Sequence, residues 1–227
     1  MSISTRKTSG VRSGAARTVP KSRLSPLAKV GIFVVAAVVV LGAIYFAVGR
    51  SGGAGAGGQY PFQVGQPGAG QAAPEIKLPS TDGATFDLAA MKGQSVLLYF
   101  QEGVGCQPCW DQIKDIEAHQ AQFTALGVDK MVSITTQAPD VIKQKARLEG
   151  IRTPVLSDPN LDVSHAYQAN LYGMMGTSMD GHSFILVGKD GTIKWRADYG
   201  GAPKYTMFVP ASNLAADMRA GLKGAAV

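Results

Sequence analysis

Cys106 and Cys109 are the only two cysteines among the 227 residues, and two residues separate them. Thiols at this spacing can form and open a disulfide, because one thiolate attacks a substrate disulfide and the second thiol resolves the mixed disulfide. A thiol at the N-terminus of a helix is the better nucleophile, since free backbone amides and the helix dipole stabilise its thiolate. We therefore predict Cys106 as the nucleophile, Cys109 as the resolving cysteine, and their disulfide as the redox centre, with no other cofactor.

Two other interpretations of the cysteine pair are weaker. A purely structural disulfide over so short a loop would constrain the unfolded chain very little. Half of a zinc site would need two more ligands, and the three histidines, His119, His165 and His182, show no paired spacing. Redox chemistry is therefore the favoured interpretation.

The segments around the pair predict how it is positioned. Residues 95–100 are an apolar run typical of a buried strand in a parallel sheet. After the pair, apolar residues recur at helical spacing as far as Gly127, a residue type that commonly ends helices. Pro108 suits the first turn of such a helix, where its missing N–H is not needed. The sequence thus predicts a strand, a turn and a helix whose first turn carries both thiols.

The rest of the chain alternates strands and helices. The predicted strands cover 131–135 and 154–156, the predicted helices cover 139–149, 161–169 and 214–222, and a predicted hairpin covers 184–196. This order is typical of an α/β domain with a central mixed sheet and helices on both faces.

The N-terminal third predicts a membrane anchor. Residues 1–29 are basic and carry too little apolar surface for a core, which is typical of a disordered tail. Residues 30–48 carry no charge, and a helix of this length spans about 29 Å, close to the hydrocarbon core of a bilayer. Residues 49–72 are rich in glycine and predict a flexible linker, so the folded domain is expected over 73–227.

Charge predicts the orientation of this anchor. Seven positive charges precede the apolar run and only Arg50 follows it closely, which places the N-terminus in the cytoplasm and the folded domain outside the cell membrane. A cleaved signal peptide is the alternative, with Ala54-Gly55-Ala56 as its cleavage site. From Glu75 onward, 14 basic residues face 16 acidic ones, so the folded part is about neutral and no nucleic-acid partner is expected.

Residues 73 to about 222 resemble the thioredoxin-like redoxins, both the AhpC/TSA-type domain and the membrane-tethered ResA/TlpA-like thiol–disulfide oxidoreductases. The matching pieces are Ala73-Pro74, Asp82-Gly83, Tyr99-Phe100, Cys106-Gln107-Pro108-Cys109, Leu156-Ser157-Asp158-Pro159-Asn160, Ala166-Tyr167, Phe184-Ile185-Leu186 and Asp190-Gly191. The resemblance implies a thioredoxin fold and an extracytoplasmic thiol–disulfide oxidoreductase. Its partners would be protein thiols or disulfides, the membrane through residues 30–48, and a membrane electron donor.

Two departures from the family pattern leave other activities open. His182 stands where these enzymes place a cis-proline, and we expect it to pack beside the pair and tune the thiolate. The peroxiredoxin signature Pro-x-x-x-Thr-x-x-Cys would fall on Glu102, Cys106 and Cys109, so its proline and threonine are both missing. A thiol-dependent peroxidase is therefore an alternative, although Arg196, its candidate peroxide-polarising arginine, is expected to be an exposed hairpin residue.

A copper carrier is the third alternative. The chain is similar to the Sco copper-delivery proteins, and Cys106, Cys109 and His182 would form a soft copper(I) site. The cysteines of that family, however, have one more residue between them.

Pro108 and Trp110 are the two neighbours of Cys109 along the chain. Both are candidates for substrate-side or thiolate-tuning positions, although a tryptophan here is more typical of core packing.

Overall fold

The computed structural model describes residues 54–55 and 58–224. The predicted tail over 1–29 and the predicted membrane-spanning helix over 30–48 lie outside these residues, and both stay predictions. Within residues 54–55 and 58–224, no helix combines the length and the apolar character needed to cross a membrane.

Nine strands and five α-helices are present in the described part of the chain. The strands are β1 (Ala54–Gly55), β2 (Phe62–Gln63), β3 (Lys77–Pro79), β4 (Thr85–Asp87), β5 (Val96–Phe100), β6 (Lys130–Thr135), β7 (Val155–Ser157), β8 (Ser183–Val187) and β9 (Ile193–Asp198). The helices are α1 (Gln107–Ala118), α2 (Gln120–Thr124), α3 (Pro139–Glu149), α4 (Asp162–Ala166) and α5 (Ala211–Gly224). Three short 3₁₀ turns cover Leu88–Met91, Ala169–Leu171 and Gly176–Ser178.

Seven of these strands form one mixed sheet in the order β1-β2-β9-β8-β5-β6-β7. The central strand β5 is parallel to β6 and antiparallel to β8, and β6 is in turn parallel to β7. Strands β3 and β4 pair separately as a small antiparallel hairpin. The predicted α/β fold with a central mixed sheet is confirmed, and it is thioredoxin-like.

Strand β5 is buried on both faces. Successive side chains of a strand point to opposite sides, so its residues contribute alternately to two cores. Leu97 and Tyr99 belong to the core with Trp110 of α1. Leu98 and Phe100 belong to a second core on the other face, which α4 and the β3–β4 hairpin cover. The apolar run in the sequence is continuous because both faces of this strand need apolar side chains.

The predicted helix after the cysteines is divided in two. His119 has φ −114° and ψ 22°, outside the helical region, and it ends α1 while α2 begins at the next residue. Its backbone N–H still bonds to the carbonyl oxygens of Asp115 and Ile116. Gly127, at φ +85°, marks the end of the helical pair, as its residue type predicts.

The folded unit begins earlier than the sequence predicts. Residues 58–72 were expected to belong to a flexible linker, but they run along strand β9. Phe62 packs edge-on against Trp195 and Tyr199, and the N–H of Gly65 donates to Asp198 at 2.7 Å. The boundary predicted at residue 73 is therefore wrong, because the edge of β9 needs backbone partners that this glycine-containing segment supplies.

Candidate functional site

Cys106 and Cys109 form a disulfide at the N-terminus of α1, with Cα atoms 5.3 Å apart. Cys106 is the residue just before the helix, and Cys109 lies in its first turn together with Pro108. Cys106 keeps 8% of its surface exposed, whereas Cys109 is fully buried. A substrate can therefore reach the pair only from the side of Cys106.

A tight turn carries the chain from β5 to the disulfide. The carbonyl of Gly103 accepts hydrogen bonds from the N–H of Cys106 and from the indole N–H of Trp110, both at 3.0 Å. Trp110 is fully buried in the core, so it does not face a substrate as the substrate-side prediction had it. Its role is to pack α1 on the sheet and to hold the turn before the cysteines.

Two loops with exposed apolar side chains flank the disulfide. On the first, the N–H of Met174 donates to the buried carboxylate of Glu102 at 2.5 Å, four residues before Cys106. On the second, Met207 packs against both cysteines.

These two loops carry five of the seven large apolar side chains that are exposed in the described part of the chain. We name these five the apolar rim: Leu171, Met174, Met175, Tyr205 and Phe208. Its two loops contact the disulfide segment, one at Glu102 and the other, through Met207, at the cysteines themselves. Exposed apolar surface of this kind marks a site for contact with another molecule.

His182 lies immediately before β8 and is fully buried. Its Nδ1 atom is 2.9 Å from the hydroxyl of Tyr99, which also donates to the carbonyl of Cys109 at 3.4 Å. Burial lowers the pKa of His182 to about 3, so the imidazole is neutral at pH 7. His182 therefore contributes no positive charge to a thiolate, and its link to the pair runs through Tyr99.

Arg196 is not an exposed hairpin residue. Its guanidinium is fully buried and makes a bidentate ion pair with Asp198 at 2.8 and 2.9 Å. The same group lies 5.6 Å from the ring centroid of Tyr172. The prediction of exposure is wrong because β9 lies inside the sheet, between β8 and β2. The charge of Arg196 is satisfied by Asp198 and is not offered to the cysteines.

The copper(I) alternative gains no support from the geometry. Over the described ranges, no group of three or more His, Cys, Asp or Glu side chains lies close enough to hold a metal ion. The ring of His182 is turned towards Tyr99, and Cys106 and Cys109 are joined to each other.

Tyr99 and Met207 are members of the site that the sequence did not indicate. A hydroxyl in the apolar run of β5 was a signal for Tyr99, because a buried tyrosine needs a partner for its O–H. Met207 carries no such signal, since it reaches the cysteines only through the fold.

Comparisons with known proteins agree with this geometry. A model of the AhpC/TSA family matches residues 69–196. A candidate peroxiredoxin of Mycobacterium tuberculosis is 32% identical over 129 residues, which cover 55% of this chain and 80% of that protein. Peroxiredoxin Bcp of Escherichia coli is 30% identical over 131 residues, covering 56% of this chain and 82% of that protein. The crystal structure of peroxidoxin BcpB from Mycobacterium tuberculosis superposes on 67% of this chain and 97% of its own with a TM-score of 0.55 and 18% identity, which shows a shared fold.

Proposed function

The chain belongs to the AhpC/TSA family, and we propose that within this family it is a thiol–disulfide oxidoreductase acting on protein thiols or disulfides through Cys106 and Cys109. Members of the family are thiol-dependent oxidoreductases or peroxidases. Disulfide exchange, and not peroxide reduction, is the reaction that we propose for this chain.

One observation carries the proposal: the only exposed part of the disulfide belongs to Cys106, and Met207, which packs against both cysteines, lies in the rim loop between the exposed Tyr205 and Phe208. Hydrogen peroxide is a small polar molecule that gains little from apolar surface. A polypeptide can cover such a surface, and the burial of apolar area then favours its binding. The surroundings of Cys106 therefore support a protein substrate.

The chemistry follows from the positions of the two sulfurs. In the reduced protein, the thiolate of Cys106 attacks a substrate disulfide, the substrate S–S bond breaks, and one substrate thiol leaves with a proton. The thiolate of Cys109 then attacks Cys106 in the mixed disulfide and expels the second substrate thiol. The product is the Cys106–Cys109 disulfide, and the reverse sequence oxidises a substrate dithiol. The amides at the start of α1 stabilise the thiolate of Cys106.

Replacement of each cysteine tests the proposal. Cys106→Ser should abolish reduction of a model protein disulfide such as insulin in the presence of dithiothreitol. Cys109→Ser should instead trap the substrate as a mixed disulfide on Cys106, visible by mass on a non-reducing gel. A Cys106→Ser protein that kept the wild-type rate would contradict the proposal.

A thiol-dependent peroxidase is the second candidate, because the relatives with 30% and 32% identity bear peroxiredoxin names. In that reaction a thiolate attacks one oxygen of the peroxide, the O–O bond breaks, and the other oxygen takes a proton and leaves as water or an alcohol. The resulting sulfenic acid condenses with the other thiol to a disulfide and water. The cysteine of the peroxiredoxin signature falls on Cys109, which is fully buried. Consumption of hydrogen peroxide with dithiothreitol as donor, well above that of a double Cys→Ser variant, would favour this candidate over disulfide exchange.

We also propose an extracytoplasmic location with residues 30–48 as the anchor, which the uncharged run and the basic residues before it support. Cys106 and Cys109 provide a direct probe, since they are the only cysteines. In reduced whole cells, a membrane-impermeant maleimide should label the protein, and a variant lacking 30–48 should leave the membrane fraction. Labelling only after lysis would contradict this location and place the domain in the cytoplasm.

A further inference from the structure

Tyr99 connects the buried half of the disulfide to the start of β8. Its hydroxyl donates to the carbonyl of Cys109 at 3.4 Å and lies 2.9 Å from Nδ1 of His182. A phenol has a single proton, so both contacts are satisfied only if Nδ1 of His182 donates to the phenol oxygen. Nε2 of His182 is then left as a buried acceptor, and it meets no donor among the described residues.

The sheet fixes the rings of Tyr99 and His182. Tyr99 faces Phe184 across the β5–β8 ladder, and their rings stack with centroids 4.5 Å apart and planes 5° from parallel. The ring of His182 meets Tyr99 edge-on at 5.1 Å and Phe184 edge-on at 5.2 Å. Since all three rings are fully buried, the chain of hydrogen bonds to Cys109 has little freedom to rearrange.

The backbone of His182 also forms hydrogen bonds to the first rim loop and to the segment before the second rim loop. Its N–H donates to the carbonyl of Tyr172 at 2.9 Å, two residues before Met174. Its carbonyl accepts from the N–H of Tyr199 at 2.8 Å, at the start of the segment that leads to Met207. His182 therefore joins Tyr172 of the first rim loop, Tyr199 before the second rim loop and, through Tyr99, the disulfide helix.

We propose that Tyr99 and His182 are positioning residues of the redox pair, which hold the carbonyl of Cys109 and thereby favour the disulfide over the dithiol. The physical basis is preorganisation: a first turn of α1 that is held in place keeps the sulfur of Cys109 close to Cys106 after reduction and raises the effective concentration of one thiol at the other. The inference rests on the proposed function only in requiring that the pair cycles between the two states.

Equilibration with glutathione measures this effect directly. Two glutathione thiols reduce the Cys106–Cys109 disulfide to two thiols and form one glutathione disulfide, so the constant reports the pair alone. Tyr99→Phe removes the hydroxyl and keeps the ring on Phe184. We expect a shift of roughly five- to tenfold towards the dithiol, which for a two-electron couple is a rise in reduction potential of about 20 to 30 mV.

Tyr199→Phe is the matched control. Tyr199 is a buried tyrosine of the same aromatic group, but its hydroxyl donates to Asp217 at 2.8 Å, away from the disulfide. Both variants lose one tyrosine hydroxyl, so a purely structural effect would move them alike. We expect Tyr199→Phe to keep the wild-type glutathione equilibrium within about twofold. Equal shifts in the two variants, or no shift in Tyr99→Phe, would overturn the proposal.

Two replacements of His182 test the other end of the chain. In His182→Asn the side-chain amide takes the position of Nδ1, and the potential should stay near that of the wild type. In His182→Leu the donor that orients the Tyr99 hydroxyl is lost, so the shift should have the same direction as that of Tyr99→Phe and be no larger, and the double variant should shift no further than Tyr99→Phe. Additive shifts, or a wild-type potential in His182→Leu, would contradict the proposal. None of these measurements uses a protein substrate, so they stay informative even if insulin reduction fails.

Discussion

Asp180 is fully buried two residues before His182, and neither of its carboxylate oxygens has a hydrogen-bond partner in the described part of the chain. Burial is the largest cause that raises the pKa of Asp180 well above its usual value, and the nearby Asp158 carboxylate adds to it. The folded protein therefore binds this proton more tightly than the unfolded chain does. The stabilisation is complete below the unfolded pKa of about 3.8 and is lost as the pH rises through the folded pKa.

Replacing Asp180 by asparagine should remove this pH dependence. As the pH rises from 4 to 8, the wild type should lose about 1 to 3 kcal/mol in the free energy of unfolding relative to Asp180→Asn. Urea unfolding at several pH values measures it. Glu75→Gln, an exposed carboxyl, is the control and should show no such trend. Parallel curves for Asp180→Asn and the wild type would show that Asp180 does not carry the effect.

Gly103 lies in the turn between β5 and Cys106, and its backbone conformation determines that turn. It has φ +89°, and a Cβ atom there would lie 1.4 Å from Oε1 of Gln137 and 2.5 Å from Oγ1 of Thr135. Gln137 cannot withdraw freely, because its Oε1 accepts from Val104 and Thr135. A side chain at position 103 therefore meets both backbone strain and a fixed neighbour.

Gly103→Ala should lower the free energy of unfolding by roughly 3 kcal/mol or more and reduce the rate of disulfide exchange. Gly93→Ala is the matched control, since Gly93 also has φ +89° but open space around it. The control should lose only about 1 to 2 kcal/mol and keep its exchange rate. Equal losses in the two variants would mean that the crowding by Gln137 has no effect.

Helix α1 is the element that ties the disulfide to the second rim loop. Gln112 is fully buried, and its Oε1 accepts from the backbone N–H of Val209 at 2.7 Å. Asp115, one turn later, accepts from the N–H of Ala211 at 2.7 Å, at the first residue of α5. These two bonds hold residues 207–211 against the helix that begins at the cysteines.

Gln112→Leu should release this segment. The buried N–H of Val209 would lose its partner, at a cost of about 1 to 3 kcal/mol in the free energy of unfolding. Amide hydrogen exchange at 205–209 should become faster, and Met207 should pack less tightly on the cysteines. Gln144→Leu places the same residue on the exposed face of α3 and should leave exchange at 205–209 unchanged. Unchanged exchange in Gln112→Leu would show that α1 does not hold the loop.

At the scale of the whole domain, residues 60–72 complete the sheet that supports the site. The carbonyl of Pro67 accepts from Arg196 at 3.2 Å, and Gly65 donates to Asp198, so this segment closes the buried ion pair. Deleting 1–57 should therefore leave the free energy of unfolding near that of the longer chain. Deleting 1–72 should lower it by roughly 3 kcal/mol or more, because the pair loses its cover and partners.

Urea unfolding of the two shortened proteins measures the boundary. If the two shortened proteins were equally stable, the folded unit would begin at residue 73, as the composition predicts. Arg196→Met in the longer protein is a useful comparison, since it leaves the Asp198 carboxylate buried without its cation and should lose a similar amount.

The sequence by itself determined the local parts of this protein. The apolar run at 95–100 required a strand buried on both faces, and the order of strands and helices required a mixed sheet. The Cys-x-x-Cys spacing placed both sulfurs within one helical turn, and its physics depends only on neighbours along the chain. The family could be recognised from the same short motifs, because each of them encodes a turn, a strand end or the pair itself.

The tertiary structure alone decided what surrounds the pair. Met207, Tyr99 and His182 come to the site from three different elements, and no periodicity in the sequence records those contacts. The burial of Arg196 depends on a glycine-containing segment that composition marks as a linker. Whether such a segment is free or paired depends on the open edge of β9, which exists only once the sheet has formed. The neutral state of His182 has the same origin, since burial among Tyr99, Phe184 and Tyr199, and not its residue type, sets the pKa of the imidazole.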